Sequence, residues 1–422
     1  MTTVNLNFKA RPVFLPYLKR SERWACVVAH RRAGKTVACI MDLIAKAVQH
    51  KGREPRFAYI APTYSQAKDV AWSYLKRYTA SIPGMEVSES ELWVRFPHND
   101  ARIRLYGADN YDRMRGVYLD GAIIDEAGDI DPRAIGEVIR PALSDRKGWA
   151  TFIGTPKGRN EFHRIYQVSD AEPGWYSARL KSSETRLIDA SELDDARAQM
   201  TPEAFAQEYE CSFDAAVKGA YYGRDVEEAE RAGRITGVPY DKAADVFASW
   251  DLGIGDSMAI WIFQIVGREW HFIRHYENSG FGLDHYVEWI KGLDHPVHMN
   301  FLPHDAEARE LQSGKSRIEY LEGRTLKCMI VPRHEVDDGI NAVRTLFPRI
   351  WFDKTHCARG IDCLRMYRSE FDEKNQVLKS RPLHNWASHS ADAFRYGVMG
   401  AEEPREKAKA KNRPAISGGW MG

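Results

Sequence analysis

The sequence predicts two α/β units in series, the first on a mostly parallel sheet with helices on both faces, the second on a mixed sheet. Three observations predict this. Residues 1–160 alternate short apolar runs with stretches of helical spacing, as buried parallel strands and their crossover helices do. A polar, charged and largely helical stretch, residues 184–232, interrupts the alternation. From Val246 the pattern changes to consecutive strands joined by tight glycine turns, in VFASWDLGIGDSMAIWIFQIVGREWHFIRHYE. The expected divisions are 1–200 for the first unit, 201–242 for a helical linking region, 243–400 for the second unit and 401–422 for a disordered tail.

Composition excludes several classes. A chain of 422 residues can hold two or three cored domains. With 44% apolar and 28% charged residues it has the balance of a soluble globular protein. Its 60 basic and 59 acidic residues exert no overall pull on nucleic acid, so any basic surface must be local. No apolar run approaches the roughly 18–20 residues that span a bilayer. The opening MTTVNLNFKARPVF lacks the apolar centre of a secretory signal. No membrane association is expected. The six cysteines form no C-x-x-C pair, which favours reduced, buried thiols over a cysteine zinc site. The tail has a net charge of +2, from Arg405, Lys407, Lys409, Lys411 and Arg413 against Glu402, Glu403 and Glu406.

In the first unit, RWACVVA (23–29) reads as a strand buried on both faces, and KTVACIMDLIAKAVQH as a helix after a short loop. That context suits a phosphate-binding loop, whose amides and helix N-terminus hold an anion. The loop is Ala29, His30, Arg31, Arg32, Ala33, Gly34, Lys35 and Thr36, with Ala29 where the usual G-x-x-x-x-G-K-[ST] pattern opens on glycine. Lys35 is placed to reach the β- and γ-phosphates of ATP, and Thr36 to ligate Mg2+. About 90 residues on, GAIIDEAGDI is a buried strand ending in Asp125 and Glu126. An acidic pair there faces the ligand crevice of an open α/β sheet. Asp125 is a candidate for holding Mg2+ and Glu126 for deprotonating the attacking water. WATFIGTPKG ends a third strand at Thr155, a candidate for sensing the γ-phosphate.

In the second unit, Asp251 ends the first strand, His304 and Asp305 follow the strand in VHMNFLPHDAEAREL, and Asp392 falls early in the helix of WASHSADAFRYGVMG, with Ser388 or Ser390 as its cap. Three strands, a helix (LDHYVEWIKGL), a fourth strand and a late helical aspartate follow the order of the RNase H-like fold. Such carboxylates suit hard Mg2+ ions, and two ions about 3.5–4 Å apart can activate water and stabilise the leaving oxygen of a phosphodiester. Asp256 is a further ligand candidate, although a turn role fits it better. His304 and His389 flank the set as supporting groups.

The motifs AHRRAGKT, YIAPTYSQAKD, MRGVYLDGAIIDEAG and FIGTPKG resemble, in order and approximate spacing, the ATPase of the large terminase subunit of tailed bacteriophages. TPEAFAQEYECSFDAAVKGAYY and DDGINAVRTLFPRIWFD extend the resemblance over nearly the whole chain. It implies a P-loop NTPase domain followed by an RNase H-like nuclease. It explains the missing first glycine, which that family commonly lacks, and implies an in-cis arginine finger at Arg31. The nuclease triad then falls on Asp251, Asp305 and Asp392. The family's adenine-contacting glutamine has no counterpart, since residues 1–48 contain no Gln. The resemblance further implies double-stranded DNA, the portal protein and a small terminase subunit as partners. It implies a ring, a pentamer, on the procapsid, in the cytoplasm of the infected host and absent from the mature virion. Mn2+ is expected to substitute for Mg2+ in the nuclease. The readings left open are a helicase-like repair ATPase-nuclease and a non-catalytic ATP-gated DNA clamp.

Overall fold

In the computed structural model, which describes residues 6, 8–213, 219–253, 257–309, 314–372 and 377–411, the apolar run from Trp24 is strand β1 (Trp24–Ala29), buried from Ala25 onward. It belongs to an eight-stranded sheet with β2 (Arg56–Ala61), β3 (Glu86–Ser88), β4 (Trp93–Arg95), β5 (Arg102–Gly107), β6 (Gly121–Ile124), β7 (Trp149–Gly154) and β8 (Trp175–Leu180). The order is β3-β4-β5-β2-β6-β7-β1-β8. From β5 to β8 every pairing is parallel. β3 and β4 add an antiparallel edge.

A parallel sheet has to be covered on both faces, and alternate residues of β1 show how this is met. Ala25, Val27 and Ala29 pack on the side of the helix Lys35–Gln49, together with Ile40, Leu43 and Ile44. Cys26 and Val28 pack on the other side, with Val138, Ile139, Phe162 and Ile165. The strand order sets β7 between β1 and β6, so the carboxyl ends of all three open onto one place.

The second unit holds a seven-stranded sheet of β9 (Ile235–Thr236), β10 (Val246–Asp251), β11 (Met258–Val266), β12 (Glu269–Asn278), β13 (Met299–Leu302), β14 (Cys328–Ile330) and β15 (Ile350–Asp353). The order is β14-β13-β10-β11-β12-β15-β9. β10, β11 and β12 are antiparallel, as the glycine turns predict. β13 runs parallel to β10. The helix Ser388–Lys411 packs one face through Ala391, Phe394 and Val398, and the helix Leu283–Lys291 packs the other through Tyr286, Val287 and Ile290. A separate hairpin pairs β16 (Ser369–Asp372) with β17 (Val377–Pro382). The sheet is wider than the sequence suggested, because β9, β14 and β15 are too short to show periodicity.

The chain divides into units of residues 1–218 and 219–422. Residues 201–242 are therefore shared: the helix Pro202–Glu208 falls in the first unit, and the helix Gly223–Arg231 in the second, where Tyr222, Val226 and Ala229 are buried. The last helix continues to Lys411, into the segment expected to be disordered; residues 412–422 lie outside the described residues. Among the described residues no helix is long and apolar enough to cross a membrane.

Candidate active sites

Gly34 adopts φ +95°, a left-handed conformation that glycine takes without strain, and turns the chain from β1 into the helix that starts at Lys35. Arg32, at φ 60°, shares the bend. Arg11 fastens this turn from outside, its Nη1 donating to the carbonyls of Arg32 and Ala33 at 2.8 Å each. Ala29 and Ala33 are fully buried; Thr36, next to Lys35, is half-buried.

Lys35 projects from this turn toward the neighbouring strand ends. Its Nζ lies 3.3 Å from Glu126 Oε1 and donates to Thr155 Oγ1 at 3.3 Å. The loop lysine, the acidic pair after β6 and the threonine after β7 therefore meet, although 120 residues separate Lys35 from Thr155. Glu126 sits at φ 47°, a left-handed backbone uncommon for a non-glycine residue. Its other oxygen lies 3.7 Å from Lys157 Nζ, which also pairs with Asp129.

Asp125 is buried, and Tyr59 on β2 donates its hydroxyl to Oδ2 while the Glu126 amide donates to Oδ1 at 2.9 Å. Burial and the adjacent Glu126 charge push the Asp125 carboxyl up to about 6, against the pull of Lys35. Burial works on Glu126 in the same direction, but Lys35 and Lys157 outweigh it and hold this carboxyl below its ordinary range. The two adjacent carboxylates thus have different proton affinities, set by which of them the lysines touch.

Arg31 stands in an ion pair, its Nε 2.6 Å from Glu208 Oε2, and its amide donates to the Glu208 carbonyl at 3.0 Å. His30 is buried and bridges Arg31 O and Thr185 Oγ1. Burial keeps its imidazole below its ordinary range. Neither Tyr59 nor Lys157 was singled out from sequence: Tyr59 hides in an apolar run, and Lys157 reads as a turn residue in TPKG.

In the second unit Asp251 ends β10, and Asp305 lies in the turn His304–Glu307 that follows the adjacent β13. Asp392 comes from the helix packed on that sheet face. His389 Nδ1 lies 2.7 Å from Asp251 Oδ2. Burial pushes the Asp251 carboxyl up, and Asp392 and Asp305 add to this, while His389 opposes it. Asp305 and Asp392 are thus both within electrostatic reach of Asp251.

Asp392 Oδ1 accepts from Tyr367 OH at 3.0 Å and from Arg395 Nη2 at 2.9 Å. Arg317 donates to Leu252 O at 3.1 Å, one residue past Asp251, and its Nη1 lies 4.0 Å from Asp305 Oδ2. Ser390, expected as a helix cap, instead donates to Glu277 at 3.1 Å and meets His275 Nε2 at 2.8 Å. Asp256 lies outside the described residues. Among the described residues no three His, Cys, Asp or Glu side chains are gathered tightly enough to hold a metal ion as a group.

No family model matches the chain. It is 24% identical over 394 residues, 89% of its length, to the terminase large subunit of Escherichia phage T5, of which 85% is covered. The chain is similar along most of its length to a phage terminase large subunit. A second relative, the terminase large subunit of Thermus virus P23-45, is 29% identical over 188 residues, which is 40% of this chain and 37% of that one. Among solved structures, the large terminase of bacteriophage HK97 is matched with a TM-score of 0.45 at 11% identity, over 91% of this chain and 92% of that one.

Proposed function

We propose that the chain is the motor and nuclease of a viral DNA-packaging machine. ATP hydrolysis in the first unit drives double-stranded DNA through the portal into the procapsid, and the second unit cuts concatemeric DNA. One observation carries the reading: Lys35, Glu126 and Thr155 converge at three strand ends, in a chain alike along most of its length to the phage T5 large subunit.

ATP would lie on the turn between β1 and the helix at Lys35, with Lys35 on its β- and γ-phosphates and Thr155 beside the same ammonium. When Lys35 engages phosphate it gives up Glu126, which becomes free to take the proton of the attacking water. Lys157 stays beside Glu126 and limits where that carboxylate turns. Arg31, in the same turn, would offset charge on the transferring phosphoryl group once its pair with Glu208 opens.

Thr36 and Asp125 would hold Mg2+, which when bound neutralises the phosphate oxygens. Burial and the neighbouring Glu126 charge, which raise the Asp125 carboxyl to about 6, are what a divalent cation offsets, so the donor set fits. In the second unit Asp251, Asp305 and Asp392 would hold Mg2+ or Mn2+ for phosphodiester cleavage. Asp251, a carboxyl that burial and the charges of Asp392 and Asp305 push up, fits a cation, and closing the set requires Asp392 to exchange Arg395 and Tyr367 for the ion. The working form is a ring, a pentamer, on the portal in the host cytoplasm, with a small subunit selecting the DNA.

The test is to follow ATP hydrolysis and plasmid cleavage by the purified chain with Mg2+ or Mn2+, and packaging into procapsids supplied with portal and small subunit. A chain that neither hydrolyses ATP nor cuts DNA under these conditions would falsify the reading.

A further inference from the structure

The elements that cover one face of the first unit's sheet stop short of its edge. On that face Val138, Ile139, Phe162 and Ile165 pack against β1, β2, β6 and β7. On β5, alternation sends Ile103 and Leu105 to the opposite, buried face and leaves Arg102 and Arg104 on the open one. The cross-strand partner of Arg104 on β4 is Trp93, and that of Arg102 is Arg95; on β2, Arg56 pairs with Arg102.

Aromatic rings support both central arginines. The guanidinium of Arg102 lies over Trp93 at 4.5 Å, and that of Arg104 over Tyr106 at 5.3 Å. Stacked in this way, a guanidinium keeps the donors on its edge available for hydrogen bonding, and both side chains here are half-buried. The carboxylates nearby are engaged elsewhere: Arg95 takes Glu86 at 3.1 Å and Asp100 at 2.7 Å, Arg56 takes Glu54 at 3.5 Å, and Glu91 accepts from Trp93 Nε1 at 2.8 Å. Among the described residues neither Arg102 nor Arg104 has a carboxylate within ion-pair distance, and Arg102 Nε is buried without a hydrogen-bond partner. Burial and the charges of Arg56 and Arg95 pull the Arg102 guanidinium below its ordinary range, with Glu91 opposing only in part. The fold thus gathers Arg102 and Arg104 beside Arg56 and Arg95, with Glu91 offsetting the charge of Arg102 only in part, in a chain with a net charge of only +1.

We propose that the open face of β4 and β5, through Arg102 and Arg104, binds the sugar–phosphate backbone of double-stranded DNA. The inference rests on the motor reading above and gives the first unit a DNA contact of its own. Two residues along one strand place the forks about 7 Å apart, a spacing that lets each address a different phosphate. Contacts of this kind position the duplex without reading sequence.

The test is binding of the full chain to a short duplex of arbitrary sequence across a salt series, with divalent metal omitted so that no cleavage occurs. Arg102→Gln with Arg104→Gln removes both charges and keeps side chains long enough to cover Trp93 and Tyr106. It should weaken binding by about tenfold at ~0.1 M salt and reduce the slope of log K against log salt by roughly 2, near 0.9 for each phosphate lost. ATP hydrolysis without DNA should stay at the parent rate, which shows that the sheet and the phosphate loop are intact. Lysine at both positions should restore the slope; a slope that stays low means the sheet was disturbed, and the proposal fails. An unchanged slope in the Gln variant also overturns it while leaving the motor reading standing. Absence of ATP hydrolysis in the parent chain overturns the motor reading instead.

Discussion

Lys35 Nζ and Glu126 Oε1 are 3.3 Å apart, so the residue placed to bind phosphate and the residue placed to activate water neutralise each other. In the proposed motor this pair would couple nucleotide binding to activation of the base, with phosphate and Glu126 competing for one ammonium. Lys35→Ala should lower ATP hydrolysis by about 100-fold or more, the scale of losing one preorganised charge partner. Plasmid cleavage should be retained. Hydrolysis at the parent rate would remove the phosphate-loop assignment.

Glu126→Gln keeps the size of the side chain but cannot accept the proton. ATP binding, measured by a fluorescent nucleotide, should stay within a few-fold of the parent, while turnover falls by roughly 10²–10⁴. A matching loss of binding would assign Glu126 a structural role.

Tyr59 holds the Asp125 carboxylate from the neighbouring strand. Tyr59→Phe removes that donor and leaves the ring in its fully buried place. Since the bond favours the ionised form, its loss should raise the Asp125 carboxyl further above about 6 and weaken its hold on Mg2+. The Mg2+ concentration needed for half-maximal hydrolysis should rise several-fold, with a stability cost of ~1 kcal/mol. An unaltered Mg2+ requirement would detach Asp125 from the metal.

Asp251→Asn, Asp305→Asn and Asp392→Asn should each abolish Mn2+- or Mg2+-dependent cleavage and leave ATP hydrolysis intact, because each removes a charged oxygen donor. Arg395→Met makes a separate check. Its guanidinium is held by Asp392 and His334, so its loss leaves Tyr367 as the remaining donor to Asp392 of the two described, while costing stability. Cleavage should persist at low temperature. Triad variants that cut like the parent would end the two-metal reading.

A fragment starting at Gly219 should fold, bind Mn2+ and cut DNA without ATP. One starting at 243 should be less stable by several kcal/mol, since it loses Tyr222, Val226 and Ala229, all fully buried against the core around Phe347 and Tyr367. Urea unfolding of the two fragments measures the difference. Equal stability would return residues 219–242 to the status of a linker.

Local pattern determined a good deal of this protein. The buried strands β1, β6 and β7, the turn at Gly34, the three antiparallel strands from Val246 and the aspartates at Asp251 and Asp305 are written in short windows, where periodicity and turn chemistry act within a few residues. Tertiary structure decided what those windows cannot hold. The order β6-β7-β1 brings Glu126 and Thr155 to Lys35, and β2 brings Tyr59 to Asp125, across distances in sequence that no local pattern spans. The same holds for Arg395 and Tyr367 on Asp392, and for β9, β14 and β15, which are two to four residues long and exist only because a longer strand offers them a partner. The division at residue 218 falls inside a polar helical stretch because burial of Tyr222 and Val226, and not composition, assigns the end of that stretch, from Gly219, to the second unit. Which arginines are left uncovered on β5 follows from where the helices over the sheet end, a matter of packing that leaves no mark on the residues themselves.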